Sequence, residues 1–225
     1  MKYKFFTLIE LLVVMAVVAM LISLLQPSLE KIRLRSESLK CQSNLHQIGV
    51  AYQYYVDEYD GWLPLLGRNR VNWELAPYLG ISVPDSYHQG DIVYEPSENS
   101  VWECLSTKYD ENDLNEPPLF GGYAVNYDYL GYLIDHGNTN RRRQHSSTVS
   151  KPASTLVLGD GADDATIWWH LRYYMLSSSQ ASYKYDRHLG KMNTLWLDGH
   201  VSHQYWDTIM GGKNNDRRYY FRKDK

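Results

Sequence analysis

Residues 6–25 form one apolar run broken by a single carboxylate, Glu10, and preceded by Lys2 and Lys4. At about 1.5 Å per helical residue, a run of this length spans about 30 Å, the thickness of a bilayer's hydrocarbon core. The pattern predicts a membrane-spanning helix. No small-residue cleavage site of the secretory kind follows Leu25, and the two lysines on the short side place the amino terminus in the cytoplasm. An ionisable side chain in such a run costs on the order of 2.5 kcal/mol, so Glu10 marks a point where a partner cation is expected.

Beyond the run the pattern turns amphipathic with no turn signal except Pro27. Leu45, Ile48, Tyr52, Tyr55 and Tyr59 recur three and four residues apart, which predicts one apolar stripe on a continuing helix. Asp60-Gly61 and Pro64 end it. Residues 62–148 are rich in Gly, Pro, Asn, Asp and Tyr and read as loops with short elements: a helical turn over 73–79, a strand or turn over 100–105, and a strand over 122–126. The last third is clearer. Thr155 to Leu158 reads as a buried strand. Asn193 to Leu197 and His200 to Tyr205 flank Asp198-Gly199, which predicts an antiparallel hairpin closed by a type I′ turn.

Composition adds a limit. The 225 residues carry 23 basic and 26 acidic side chains, net −3. That balance gives no electrostatic reason to expect nucleic acid as a partner. The densest basic run, Arg141-Arg142-Arg143, reads as a solvated loop. Removing the anchor leaves enough chain for one small domain.

Phe6-Thr7-Leu8-Ile9-Glu10-Leu11-Leu12-Val13-Val14 resembles the processing and methylation signature of type IV prepilins and type II secretion pseudopilins. The resemblance implies cleavage between Phe5 and Phe6 by a prepilin peptidase and methylation of the new terminus. It also implies that Glu10, the fifth residue of the mature chain, meets a neighbour's terminal amine during assembly. Pro27 stands where that family often kinks its helix. The family's leader usually ends in Gly, and here Phe5 holds that place.

A second signature lies near the carboxy end. His188, nine residues, then Asp198-Gly199 resembles the H-X9-DG motif that names a group of prepilin-like proteins. Cys41-Gln42-Ser43-Asn44-Leu45-His46-Gln47-Ile48-Gly49 is similar to that group's helix after the anchor. Asp57 to Pro64 is similar to its helix exit. Lys151-Pro152-Ala153-Ser154-Thr155-Leu156-Val157-Leu158-Gly159-Asp160 is similar to its strand before the hairpin. The patches cover most of the chain and imply architecture more than activity.

The fold these readings predict is α+β and pilin-like: a long amino-terminal helix, membrane-spanning in its first half, packed on a small antiparallel sheet with long loops. The divisions are 1–5 leader, 6–25 transmembrane half, 26–59 amphipathic half, and 60–225 an extracytoplasmic domain. The function they imply is a structural subunit of a pilus-like or pseudopilus filament. Its partners would be the inner membrane, the prepilin peptidase, sibling subunits and the assembly machinery. The protein would cross the inner membrane once and place its carboxy-terminal domain in the periplasm or on a filament. A monomeric tethered domain binding a ligand such as a glycan is the alternative, with Trp168-Trp169 and Tyr173-Tyr174 as a candidate face.

Candidate chemistry is sparse. Cys41 and Cys104 fit either a disulfide between helix and body or two buried thiols. Asp160, His188, Asp198 and His200 offer oxygen and imidazole ligands that could converge on a divalent ion such as calcium. Turn geometry accounts for Asp198 and Asp160, and a loop hydrogen bond for His188, better than a metal does, so no cofactor is expected. No hydrolase, P-loop or dinucleotide fingerprint occurs, and no enzyme is expected.

Overall fold

The computed structural model describes residues 7–65, 70–82, 100–104, 106, 122–126, 130, 143–160, 187–205 and 208. The leader with Phe5 and Phe6, and the Trp168-Trp169 and Tyr173-Tyr174 segment, lie outside these residues.

One helix dominates. α1 (Leu8–Glu58) runs 51 residues, roughly 75 Å at helical rise. Thr7 caps its start: the Thr7 hydroxyl accepts from the Glu10 N–H, while the Glu10 carboxylate accepts from the Thr7 backbone and hydroxyl at 2.8 and 2.7 Å. This capping box satisfies donors that a helix terminus otherwise leaves open. The helix passes through Pro27 unbroken. It ends as the sequence predicts: Asp60 and Gly61 take left-handed backbone conformations, and the Gly61 N–H reaches back to the Val56 carbonyl at 2.8 Å, a Schellman closure.

The two halves of α1 meet different surroundings. Every large apolar side chain from Leu8 to Leu29 is at least 43% exposed. The first half is long and apolar enough to cross a membrane. From Ser38 onward one face is buried, through Cys41, Leu45, Ile48, Tyr52 and Tyr55. Tyr59, expected on that stripe, is instead 44% exposed and stacks on Tyr55. It caps the helix, so it leaves the regular face.

That face packs on a four-stranded antiparallel sheet in sequential order: β1 (Tyr123–Val125), β2 (Leu156–Asp160), β3 (Lys191–Trp196) and β4 (Val201–Tyr205). The architecture is α+β. Leu158 and Leu195 face each other across β2 and β3, and the core continues through Leu63, Val71, Leu75 and the fully buried Trp102. A short helix, α2 (Arg70–Leu75), and a 3₁₀ turn (Ala76–Leu79) stand where a helical turn is predicted. They sit against the carboxy end of α1, where Tyr78 donates to Glu58 at 2.6 Å.

The β3–β4 connection differs from its predicted form. Only Gly199 has positive φ there; Asp198 does not. The Gly199 N–H bonds the Trp196 carbonyl and the Trp196 N–H bonds the His200 carbonyl. The loop is therefore the three residues 197–199, a tight turn followed by a left-handed glycine, not a two-residue type I′ turn. The physical reason lies in Leu197. Its N–H is held by the Thr155 carbonyl and its carbonyl by the Gln53 side chain at 2.7 Å, which keeps it out of the strand pairing. The pair of positive-φ residues occurs one strand earlier, at Leu189 and Gly190.

Candidate functional site

The turn at Leu189-Gly190 places the site's central residue. His188 and Lys191 exchange N–H···O bonds at 3.2 Å across it, as a two-residue reversal requires. Leu189 is left outside and the His188 side chain is sent inward, fully buried. The spacing of the motif thus has a structural meaning. The nine residues after His188 are the two turn residues, the six of β3, and Leu197. His188 opens the strand and Asp198-Gly199 closes it.

The four residues proposed as a divalent-ion set consequently divide. His188 and Asp160 meet at one end of the sheet, with Nε2 3.4 Å from Oδ2 and both side chains buried. Asp198 and His200 pair at the hairpin tip, Oδ1 to Nδ1 at 2.6 Å, both partly exposed, and the His200 ring stacks on Trp196. A six-residue strand lies between the pairs, about 20 Å. The structure does not bring the four together.

It brings His188 and Asp160 to the two cysteines instead. Cys41 lies on the first buried turn of α1, and Cys104 follows the turn at 101–102; the two sulfurs are 2.9 Å apart, both thiols free and buried. Cys104 Sγ is 3.4 Å from His188 Nε2. The ligand atoms of Cys41, Cys104 and His188 all lie within 4.8 Å of one another. Asp160, at the end of β2, accepts the Asn193 N–H through Oδ2 at 2.6 Å, while Oδ1, equally buried, has no hydrogen-bond partner among the described residues. The Tyr123 hydroxyl donates to the Cys41 carbonyl from β1.

The other imidazole nitrogen has its own support. The Ser106 hydroxyl donates to Glu37 on α1 at 3.0 Å, so its oxygen is free to accept from Nδ1–H of His188, 3.3 Å away. That arrangement fixes the hydrogen on Nδ1 and aims Nε2 at the sulfur and carboxylate. Burial opposes a charge on His188, but the hydrogen bonds and charges of Asp160 and Cys104 outweigh it and raise the ring to about 9. The hydrogen bond donated by Cys41 holds the Cys104 thiol well below its ordinary value, against burial and with help from His188. Cys41 is correspondingly pushed up by that bond and by burial. The two thiols titrate as a coupled pair, with the bond between them moving their ionisations in opposite directions.

Sequence reasoning singled out all four residues but distributed them between two unrelated roles. The signal that could have joined them was weak: one cysteine on the helix stripe, and a motif histidine and a strand-end aspartate flanking consecutive strands. Of the other candidates, Glu10 sits in the capping box at the start of α1 and Pro27 lies within its exposed half. Searches of family models, curated proteins and solved structures found no match to this chain.

Proposed function

We propose that the protein is a membrane-anchored, pilin-like subunit whose work is mechanical: it waits in the inner membrane and packs with copies of itself through the exposed half of α1. The observation that carries this reading is the division of that helix. Its first half exposes apolar side chains on every side, a surface that water does not tolerate over this length, while its second half is the spine of a folded domain. Lipid would cover the first half before assembly, and neighbouring helices afterwards. Lys2 and Lys4 then hold the amino terminus in the cytoplasm and the domain from residue 60 onward lies in the periplasm. A prepilin peptidase removes residues 1–5 and methylates Phe6, and Glu10 meets the terminal amine of a sibling chain. No catalytic step is assigned.

A second reading is favoured by one observation. The capping box gives the Glu10 carboxylate two hydrogen-bond donors within its own chain, so the carboxylate's hydrogen bonding does not require a neighbour. Under this reading the domain is a tethered monomer that binds a ligand such as a glycan.

Intact-mass spectrometry of protein taken from its native membrane distinguishes them. Assembly predicts loss of Met1 to Phe5 and one added methyl group on Phe6. A full-length, unmethylated chain would leave the tethered monomer as the working function.

A further inference from the structure

We propose that Cys41, Cys104 and His188 form a structural Zn(II) site that pins α1 to the sheet, with the neighbouring Asp160 carboxylate moving in as the fourth ligand. In a pocket with no exposed member, four groups from four separate elements converge: a helix, the segment at 104, the end of β2, and the turn before β3. A buried hydrogen-bonded pair would explain His188 and Asp160 alone. It does not explain why Nε2 faces a sulfur and a carboxylate oxygen at the same 3.4 Å. One N–H cannot point well at both. It also leaves Oδ1 of Asp160 buried without a partner among the described residues, which costs on the order of 1–3 kcal/mol. A cation held by the sulfurs and Nε2 answers the first, and a turn of the Asp160 carboxylate that brings Oδ1 onto that cation answers the second.

The donor set and spacings fit zinc. Two thiolates, one imidazole nitrogen and one carboxylate oxygen are its usual ligands, and tetrahedral bonds of about 2.0–2.3 Å give ligand edges of roughly 3.3–3.7 Å. The nitrogen–sulfur separation already lies in that range, whereas the Asp160 carboxylate, 3.4 Å from Nε2 but outside the cluster of atoms within 4.8 Å of one another, has to move toward the sulfurs to complete the set. The sulfurs at 2.9 Å would have to part by about 0.8 Å. The His188–Ser106–Glu37 chain is the outer support that metal-bound histidines characteristically have, with the distal N–H held so that the ligating nitrogen keeps its lone pair. Binding releases protons from the thiols and the ring and forms no new covalent bond between residues.

Location gives the site a purpose. Cys41 is on the first turn of α1 that enters the domain, so any pull along the exposed half reaches the domain there first. A bond from that turn to two strand ends would spread the load across the sheet. This consequence rests on the anchored-subunit reading; the metal site does not.

The test uses the full-length chain, purified in detergent under conditions that keep thiols reduced. Elemental analysis is expected to give one zinc per chain, and exchange with Co(II) to give the absorption of thiolate-to-cobalt charge transfer in a tetrahedral field. Cys104→Ser and His188→Ala should each abolish the zinc. Ser106→Ala should keep the cobalt spectrum but weaken zinc binding roughly 10–100-fold. Should a variant fail to fold, the cobalt spectrum of the unaltered chain still decides the matter. A chain from the native membrane that is lighter by two hydrogens, with Cys41 and Cys104 joined and no zinc, overturns the proposal. So does a chain with two free thiols that takes up neither metal.

Discussion

Gly49 of α1 lies so close to Leu195 of β3 that a Cβ added to it would stand 2.7 Å from the Leu195 Cδ1 and 3.4 Å from the Gly199 carbonyl oxygen. The helix is seated directly on the strand that the motif brackets, and the absence of a side chain at one position sets the distance.

Gly49→Val should therefore destabilise the domain although valine is the better helix former, because Leu195 is buried and the Gly199 backbone cannot yield. Overpacking of this kind costs about 1–3 kcal/mol. Urea unfolding followed by tryptophan fluorescence should show a lower midpoint with an unchanged slope. A midpoint equal to that of the unaltered chain would mean that the helix can lift off the sheet freely.

Glu10 separates charge from capping. Glu10→Gln keeps an acceptor oxygen for Thr7 but removes the charge, while Glu10→Ala removes both. If the carboxylate pairs with a neighbour's amine, filaments should vanish from electron micrographs for both variants, and the folded domain should keep its unfolding midpoint. Only the alanine variant should fray the helix start, because it alone removes the acceptor for the Thr7 N–H. Normal filaments from Glu10→Gln would remove the charge pairing from the mechanism.

The β3–β4 loop depends on Gly199 at φ 90°. Gly199→Ala forces a Cβ into that left-handed position and should cost roughly 1–2 kcal/mol. The measurement is the same urea midpoint, with Gly199→Asn as a milder control because asparagine tolerates this region. Equal midpoints for all three chains would show that the loop relaxes to another turn.

Tyr52 gives the domain an alkaline limit. Its hydroxyl is buried with no hydrogen-bond partner among the described residues, and burial, with the charge of Glu74 adding to it, pushes its ionisation well above the usual 10. The folded state thus keeps a proton that the unfolded chain loses. Stability from this group is complete below pH 10 and falls as the pH rises beyond it. Tyr52→Phe should be neutral, or more stable by about 1 kcal/mol, at pH 7, and should lose less stability between pH 9 and 11. Thermal unfolding across that range reads both effects, and parallel losses in the two chains would assign the alkaline limit to other groups.

Local pattern was enough for the elements whose formation depends on near neighbours. The apolar run, the stripe through Leu45, Ile48, Tyr52 and Tyr55, the stop at Asp60-Gly61 and the strands around 156–160 and 191–205 are all visible in residue order. A helix face, a cap and a strand are set by side chains within a few positions of one another. The long stretch between α1 and β2 was legible only in fragments, since its short elements are held by contacts with α1 and the sheet.

What residue order could not supply was proximity. Cys41 and Cys104 are 63 residues apart, and Cys104 and His188 are 84 apart; nothing in either spacing says that the three share one buried pocket with Asp160. Turn type went the same way. Asp198-Gly199 has the composition of a two-residue reversal, yet Gln53 and Thr155 hold Leu197 from outside the hairpin and lengthen the loop. The sequence by itself determined which segments are helix and strand and which half of α1 must be covered, because those follow from periodicity and apolar length. Only the tertiary structure decided what the motif histidine touches, because that depends on where a helix and three distant segments come to rest against one another.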